Sequence, residues 1–466
     1  MNAVPSTNEQ TFQSLKLNEN LLKNLSTLNY EHMTPIQAAS LPVMLDGHDV
    51  IAQAKTGSGK TAAFGLCLLQ EIKLSFFAVQ ALVLCPTREL AEQVTVALRQ
   101  LARLVPNVKI VNLSGGVPMK PQTDSLRHGA HIIVGTPGRV QKHLDKETLI
   151  LNKVQTLVLD EADRMLDMGF FDAMKQIIKI CPAKRQTLLF SATFPPEIQQ
   201  LASEFMKTPQ NIVIEEMHSG NTIEQHFFEV TSSANKLSAL KTLLMHYQPS
   251  SALIFCNTKD QTANVTNMLR KEGYSAIALN GDMEQYERSE AMIRFVNQSC
   301  SILVATDVAA RGLDIKELPA VINFELAFDH DVHIHRIGRT GRAGNKGLAL
   351  SLTTAADTGR LEIIEHALEN PLKLNDINTL RIKDTAIVLP AMVTLCLSAG
   401  RKDKIRPGDI LGALTKDAGL DASTIGKIDI MPMHSYVAIH HEHVNKACQH
   451  FQNGKLKGQR VQVRKL

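Results

Sequence analysis

Val158-Leu159-Asp160-Glu161-Ala162-Asp163 is an apolar run that ends in three carboxylates and passes at once into the helix-forming Arg164-Met165-Leu166. A short apolar run bounded in this way reads as a buried strand that stops at a loop. Successive side chains on a strand face opposite sides, so Asp160 and Glu161 can take different tasks, one toward a Mg²⁺ shell and the other toward an attacking water. Three acids this close repel unless a cation stands among them. Alone, the stretch reads equally well as a solvated acidic turn; a second stretch upstream decides between the two.

There, Val50-Ile51-Ala52 leads into Ala54-Lys55-Thr56-Gly57-Ser58-Gly59-Lys60-Thr61, and the pattern from Ala62 to Ile72 is helical. Strand, glycine loop and helix in that order are the setting of a phosphate-binding loop. Glycines let backbone N–H groups close around phosphates, and the helix N-terminus adds positive potential. Lys60 reaches the β/γ-phosphates and Thr61 offers its hydroxyl to Mg²⁺. Ala54 replaces the usual first glycine, and the turn survives because Gly57 and Gly59 supply the flexible positions. Before the loop stand Phe12, Tyr30 and Thr34-Pro35-Ile36-Gln37. A glutamine amide donates and accepts at once, so it matches adenine N7 and N6 but meets a second acceptor on guanine. Aromatic faces nearby stack on a base, and ATP is the nucleotide expected.

Short apolar runs alternate with helical patterns through residues 49 to 216, which predicts a parallel α/β sheet. Thr87, Thr136, Asp160 and Ser191 each fall just after such a run, where ligands of parallel sheets bind. The rhythm breaks at 217–222, read as a linker, and restarts with runs at Gln225, Ala252, Ala276, Ile302, Val321 and Leu348.

The ordered motifs resemble the DEAD-box ATP-dependent RNA helicases over roughly residues 12 to 352. They are Gln37, the loop ending in Lys60-Thr61, Pro86-Thr87-Arg88-Glu89-Leu90-Ala91, Gly115-Gly116, Thr136-Pro137-Gly138-Arg139, Asp160-Glu161-Ala162-Asp163 and Ser191-Ala192-Thr193. The second half adds Phe255-Cys256-Asn257-Thr258, Gln285 with Arg288, Ala305-Thr306-Asp307, Ala310-Arg311-Gly312-Leu313-Asp314 and His335-Arg336-Ile337-Gly338-Arg339-Thr340-Gly341-Arg342. Asn29 and Met33 stand where the family's adenine-binding segment usually has Gly and Pro.

The resemblance implies two tandem RecA-like P-loop domains, 1–216 and 223–370. It implies ATP held by Phe12, Tyr30, Gln37, the 54–61 loop and Asp314, with Glu161 positioning water. Arg339 and Arg342 are implied arginine fingers, whose planar permanent charge suits a phosphoryl transition state. RNA backbone contacts fall to Thr87, Arg88, Gly116, Thr136 and Arg139 in one domain and to Thr258, Arg288, Thr306 and Gly312 in the other, and coupling between domains falls to Asp163, Ser191, Thr193 and His335. Hydroxyls, glycines and arginines suit phosphate and sugar, so binding independent of base sequence is expected.

With 466 residues, 44% apolar and 21% charged, the chain is long enough for several cores and is globular in composition. Residues 1–20 lack the apolar core of a signal peptide and no apolar run approaches a membrane span, so a cytosolic protein is expected. Seven scattered cysteines without a Cys-x-x-Cys pair read as reduced core thiols. His440-His441-Glu442-His443 lacks the spacing of a zinc site and reads as surface histidine.

After a connector at 371–382, residues 383–466 show β-α-β-β-α-β, the order of an RRM: strands 392–398, 425–430, 435–439 and 460–464, helices 409–418 and 444–451. Residues 381–466 hold 14 Lys+Arg against 7 Asp+Glu, leaving 36 against 39 for the rest. The tail carries the basic footprint of an RNA binder, centred on Arg401, Lys402, Lys404 and Arg406. Only Tyr436 stands where an RRM usually places stacking aromatics. With this tail the resemblance narrows to the bacterial DbpA subfamily, which implies recognition of large-subunit ribosomal RNA and a role in ribosome assembly. The function expected is an RNA-stimulated ATPase that separates short duplexes; an ATP-gated RNA clamp is the alternative.

Overall fold

Apolar runs too short for helices and rich in Val, Ile and Leu become the strands of two parallel sheets. The computed structural model describes residues 10–54, 57–214, 223–310, 318–341, 346–368, 372–382 and 387–466, so the expected linker at 217–222 lies outside the described residues. The first sheet comprises β1 (Val50–Gln53), β2 (Ala81–Leu84), β3 (Ile110–Leu113), β4 (Ile132–Gly135), β5 (Thr156–Asp160), β6 (Gln186–Ser191) and β7 (Gln210–Val213), in the order β3-β4-β2-β5-β6-β1-β7. Every pairing in it is parallel. Alternation along each strand feeds two cores, one on each face: Ala81 and Val83 join the first, Leu82 and Leu84 the second. Both faces are therefore covered by helices, and the glycine loop after β1 and the acids at the end of β5 emerge at the carboxyl edge.

The second sheet repeats the plan with β8 (Ile223–Glu229), β9 (Ala252–Cys256), β10 (Ala276–Leu279), β11 (Ile302–Thr306), β12 (Ala320–Asn323), β13 (Gly347–Thr353) and β14 (Leu374–Asp376), ordered β10-β11-β9-β12-β13-β8-β14. β14 falls inside the stretch read as a connector. Its Leu-Asn-Asp has no apolar alternation to announce it, and it adds to the sheet edge beside β8, where Asn375 Nδ2 donates to the Phe227 carbonyl at 3.2 Å. The helix Thr358–Leu368 then packs Ile364 against Phe227 and Leu326.

The third sheet is antiparallel: β15 (Met392–Leu397), β16 (Ile425–Ile430), β17 (Ser435–His440) and β18 (Val463–Lys465), ordered β16-β17-β15-β18. The first helix and the last strand begin elsewhere than expected. The first helix starts at Pro407, a residue suited to the first helical turn, and passes after Gly412 into a π turn over Ala413–Asp417. The last strand starts at Val463 rather than Arg460, because Leu456 and Gln459 close a hairpin through Lys457 (φ 51°) and Gly458 (φ 81°). Leu395, Leu397, Val437 and Ile439 face the helices and form the core.

The opposite face of this small sheet is occupied. Cys396 and Tyr436 pack with Leu466 against Ile293, Thr394 Oγ1 lies 2.6 Å from Ser299 Oγ, and Arg464 pairs with Glu290 at 2.6 Å. Ile293 and Glu290 belong to the helix Gln285–Val296, which flanks the second parallel sheet. The chain divides into two compact units, one built on the first sheet and one on the second and third together. No helix among the described residues is long and apolar enough to cross a membrane.

Candidate active site and RNA-contacting loops

In the first unit the phosphate loop leaves β1 and ends at Gly59, whose φ of +99° caps the helix Lys60–Glu71. A side chain here is excluded twice: the backbone is left-handed, and a Cβ would lie 2.5 Å from Gln37 Nε2. Gln37 is buried, accepts from the Thr34 N–H at 2.9 Å and donates to the Gly59 carbonyl at 3.1 Å. The Gln37 amide is thus wired directly to the loop after β1. Lys60 is buried with its ammonium on the Ala54 carbonyl at 2.9 Å, and Ser58 and Thr61 are half-buried beside it. Phe12 is buried and meets Tyr30 edge-on at 6.1 Å, while Tyr30 is 39% exposed, so of the two rings Tyr30 offers the open face. Asn29, at the family's glycine position, takes φ 58°, a conformation that asparagine tolerates.

β5 delivers the acids. Asp160 is buried, and burial pushes its carboxyl up to about 7, against the pull of the Lys60 ammonium. A buried carboxylate with this bias favours a cation beside it, and the hard oxygens of Asp160 and Thr61 fit Mg²⁺. Glu161 follows in the left-handed region, φ 53° and ψ 55°. This conformation is costly for a side chain of its size, and such strain concentrates where function requires a particular aim. Asp163 turns inward to β6: Oδ2 accepts from Ala192 N, Thr193 N and Thr193 Oγ1 at 3.0 to 3.2 Å, and its own N–H donates to Ser191 Oγ. The acidic motif and the Ser-Ala-Thr motif therefore form one hydrogen-bonded joint.

The RNA-type residues of this unit gather at the ends of β2, β3 and β4. Thr87 and Thr136 are buried and stand at helix N-caps. Arg139 donates to Gln122 Oε1 at 2.8 Å and to the Val117 carbonyl at 2.9 Å. Burial and the nearby charge of Arg88 depress the Arg139 guanidinium, and a Cβ on Gly115 would come within 3.1 Å of Arg88. Arg88 beside Gly115, with Arg139 close enough to feel its charge and Gly116 left-handed, makes a cationic patch suited to phosphate.

In the second unit Thr258 caps the helix Lys259–Lys271, Arg288 donates to the Asn280 and Ala309 carbonyls, and the Ala309 N–H donates to Thr306 Oγ1. Arg288 and Thr306 thus meet at Ala309. Arg339 is buried and His335 half-buried. Lys55, Thr56, Gly312, Asp314 and Arg342 lie outside the described residues. In the third sheet's domain Arg401, Lys402, Lys404 and Arg406 are all exposed.

Arg336 stands in the His335–Arg342 motif, where the resemblance implies no role for it. It is 1% exposed, forks onto Asp307 with two bonds of 2.7 Å, and donates further to Asn257 Oδ1, Asn323 Oδ1 and the Glu325 carbonyl. Its guanidinium also lies 5.0 Å from the Phe255 ring. All its donors are engaged, so it ties together the loops after β9, β11 and β12. The only sequence signal was an arginine beside His335 and an aspartate after Thr306.

Family models match in chain order: a DEAD/DEAH box helicase domain at 34–201, a helicase conserved C-terminal domain at 235–344 and a DbpA RNA-binding domain at 394–465. The ATP-dependent RNA helicase DbpA of Escherichia coli (strain K12) is 53% identical over 96% of this chain and 97% of its own; that of Bacillus subtilis (strain 168) is 36% identical over 97% and 99%. Among solved structures, Saccharomyces cerevisiae Dbp5 bound to RNA and ADP BeF3 is 29% identical with a TM-score of 0.72, covering 79% of this chain and 96% of that one. With the P-loop, the acidic strand end, the arginine hub and the basic third domain in this order, the chain belongs to the DEAD-box ATP-dependent RNA helicases of the DbpA type.

Proposed function

We propose that this helicase, which couples ATP hydrolysis to RNA unwinding, works in the cytoplasm on large-subunit ribosomal RNA during ribosome assembly, with residues 383–466 as its address and 1–216 and 223–370 as its motor. The observation that carries this reading is the charge split, since a motor slightly acidic overall has little long-range pull on phosphate, whereas the basic third domain attracts it. ATP sits with its base at Tyr30 and Gln37 and its phosphates on the 54–61 loop. Thr61 and Asp160 would hold Mg²⁺, which would supply charge neutralisation to the phosphates. Glu161 orients the attacking water and takes its proton, and Arg339 and Arg342 bring positive charge to the transferred phosphoryl group.

RNA backbone lies along Thr87, Arg88, Gly116, Thr136 and Arg139, and along Thr258, Arg288, Thr306 and Gly312. Asp163, Ser191, Thr193 and His335 pass the state of the nucleotide to that track. Bending of one strand on closure leaves its partner unpaired, and hydrolysis resets the machine. Crosslinking the protein to RNA in cells and sequencing the fragments tests the address: reads concentrated on large-subunit ribosomal RNA support it, and an even spread over messenger RNA overturns it. Duplex release that recurs with ATP but not with a non-hydrolysable analogue separates the motor from an ATP-gated clamp.

A further inference from the structure

The Arg401–Arg406 loop does not stand alone. The hairpin 455–460 lies against it: Lys457 Nζ donates to the Lys404 carbonyl at 2.8 Å and to Asp409 Oδ2 at 3.2 Å. Each loop is pinned by one buried apolar residue, Ile405 at 3% exposure and Leu456 at 1%, both in the core of the domain. Each also holds a lysine in the left-handed region, Lys404 at φ 60° and Lys457 at φ 51°, where glycine or asparagine is less strained.

The local acids are engaged elsewhere. Asp403 accepts from the Gly400 N–H at 2.9 Å, and Asp409 accepts from the Arg406 N–H at 2.8 Å as well as from Lys457. Among the described residues no ion pair involves Lys402, Lys404, Lys455 or Arg460, and all four are exposed. Unpaired cations on two fastened loops keep their spacing before any ligand arrives, which lowers the ordering cost of binding. The face of the sheet that would otherwise stack bases is covered by the second unit's own helix, which leaves base stacking there closed and the unpaired cations of the two loops open to a polyanion.

We propose that Lys455 and Arg460 belong to the RNA-binding surface and take phosphates of the same RNA stem held by Lys402, Lys404 and Arg406, forming one two-loop phosphate cradle. This rests on the proposed reading of the Arg401–Arg406 loop as the RNA address. Phosphate contacts announce themselves in the salt dependence of binding, each worth about 0.7 to 0.9 in the slope of log affinity against log salt.

The test uses the full chain and a fluorescein-labelled large-subunit ribosomal RNA hairpin fragment, titrated across a series of salt concentrations. The Lys455→Gln, Arg460→Gln pair is compared with a variant carrying glutamine at 402, 404 and 406. The first is expected to lower the slope by about 1.5 and weaken binding by on the order of tenfold at low salt, with the thermal midpoint and RNA-free ATP turnover unchanged. The second lowers the slope by about 2 to 3. An unchanged slope in the first variant with a lowered slope in the second overturns the cradle and leaves the address standing. Unchanged slopes in both overturn the two together.

Discussion

The parallel sheets and the small antiparallel sheet place their polar groups in opposite ways. In the parallel sheets both faces are buried, and chemistry emerges at the carboxyl edge as glycine loops, paired acids and helix caps. In the antiparallel sheet one face is core and the other is a seat on the helix Gln285–Val296, so cations are displaced to loops at its rim. The difference teaches that a fold does not locate its ligand by itself. An RRM-ordered sheet whose face is covered presents a different surface from one whose face is free, and the lone Tyr436 is an interface residue rather than the remnant of a stacking platform.

The largest effect separating motor from address is expected for Glu161→Gln. Turnover should fall about 10² to 10⁴-fold, the range of a lost general base, while binding of the RNA hairpin stays as it was. Steady-state ATPase with and without RNA checks this, and unchanged turnover removes Glu161 from the chemistry. Next comes Arg336→Ala in the second unit, which strands Asp307 and three other acceptors in a buried setting. A loss of about 3 to 5 kcal/mol in the unfolding of that unit is expected, read by urea denaturation; a loss below about 1 kcal/mol would show that the hub is dispensable.

A smaller, pH-dependent effect follows from His333. Burial, with the neighbouring Arg336 charge, lowers its imidazole to about 3. The folded state therefore keeps it neutral, while the unfolded chain takes up a proton below about 6.5. Stability is lost as pH falls through the window from about 6.5 to 3, at about 1.4 kcal/mol per pH unit. His333→Asn should flatten that slope between about pH 7 and 5; an identical slope in both proteins assigns the acid sensitivity to other groups. Smallest is the Glu290–Arg464 pair at the seat. Arg464 is 62% exposed, so a double-mutant cycle should give under about 1 kcal/mol. A coupling well above that would make the ion pair, rather than the apolar contact of Ile293 with Cys396 and Tyr436, the main fastening.

Much of this was legible in the sequence because strand, loop and helix patterns are local. Asp160 at a strand end, Lys60 at a helix start and the third domain's order of strands and helices follow the local pattern. What escaped depends on tertiary partners. The hub of Arg336 needs acceptors from residues 257, 307, 323 and 325, which only the folded sheet brings together. The covered face of the third sheet was invisible because Thr394, Cys396 and Tyr436 alternate as any half-buried strand does. β14 escaped because its three residues carry no period. The strained backbone of Glu161 escaped because nothing in a Glu codes for positive φ.

The division between motor and address is tested most directly by RNA-stimulated ATP turnover of the full chain and of a chain ending at residue 382. Each is titrated with a large-subunit ribosomal RNA fragment and with an unrelated hairpin. The full chain is predicted to reach half-stimulation at a concentration at least about tenfold lower for the ribosomal fragment, through the raised local concentration that a tether provides. The shortened chain is predicted to respond to both RNAs alike. A shortened chain that keeps the same preference as the full one would contradict the account.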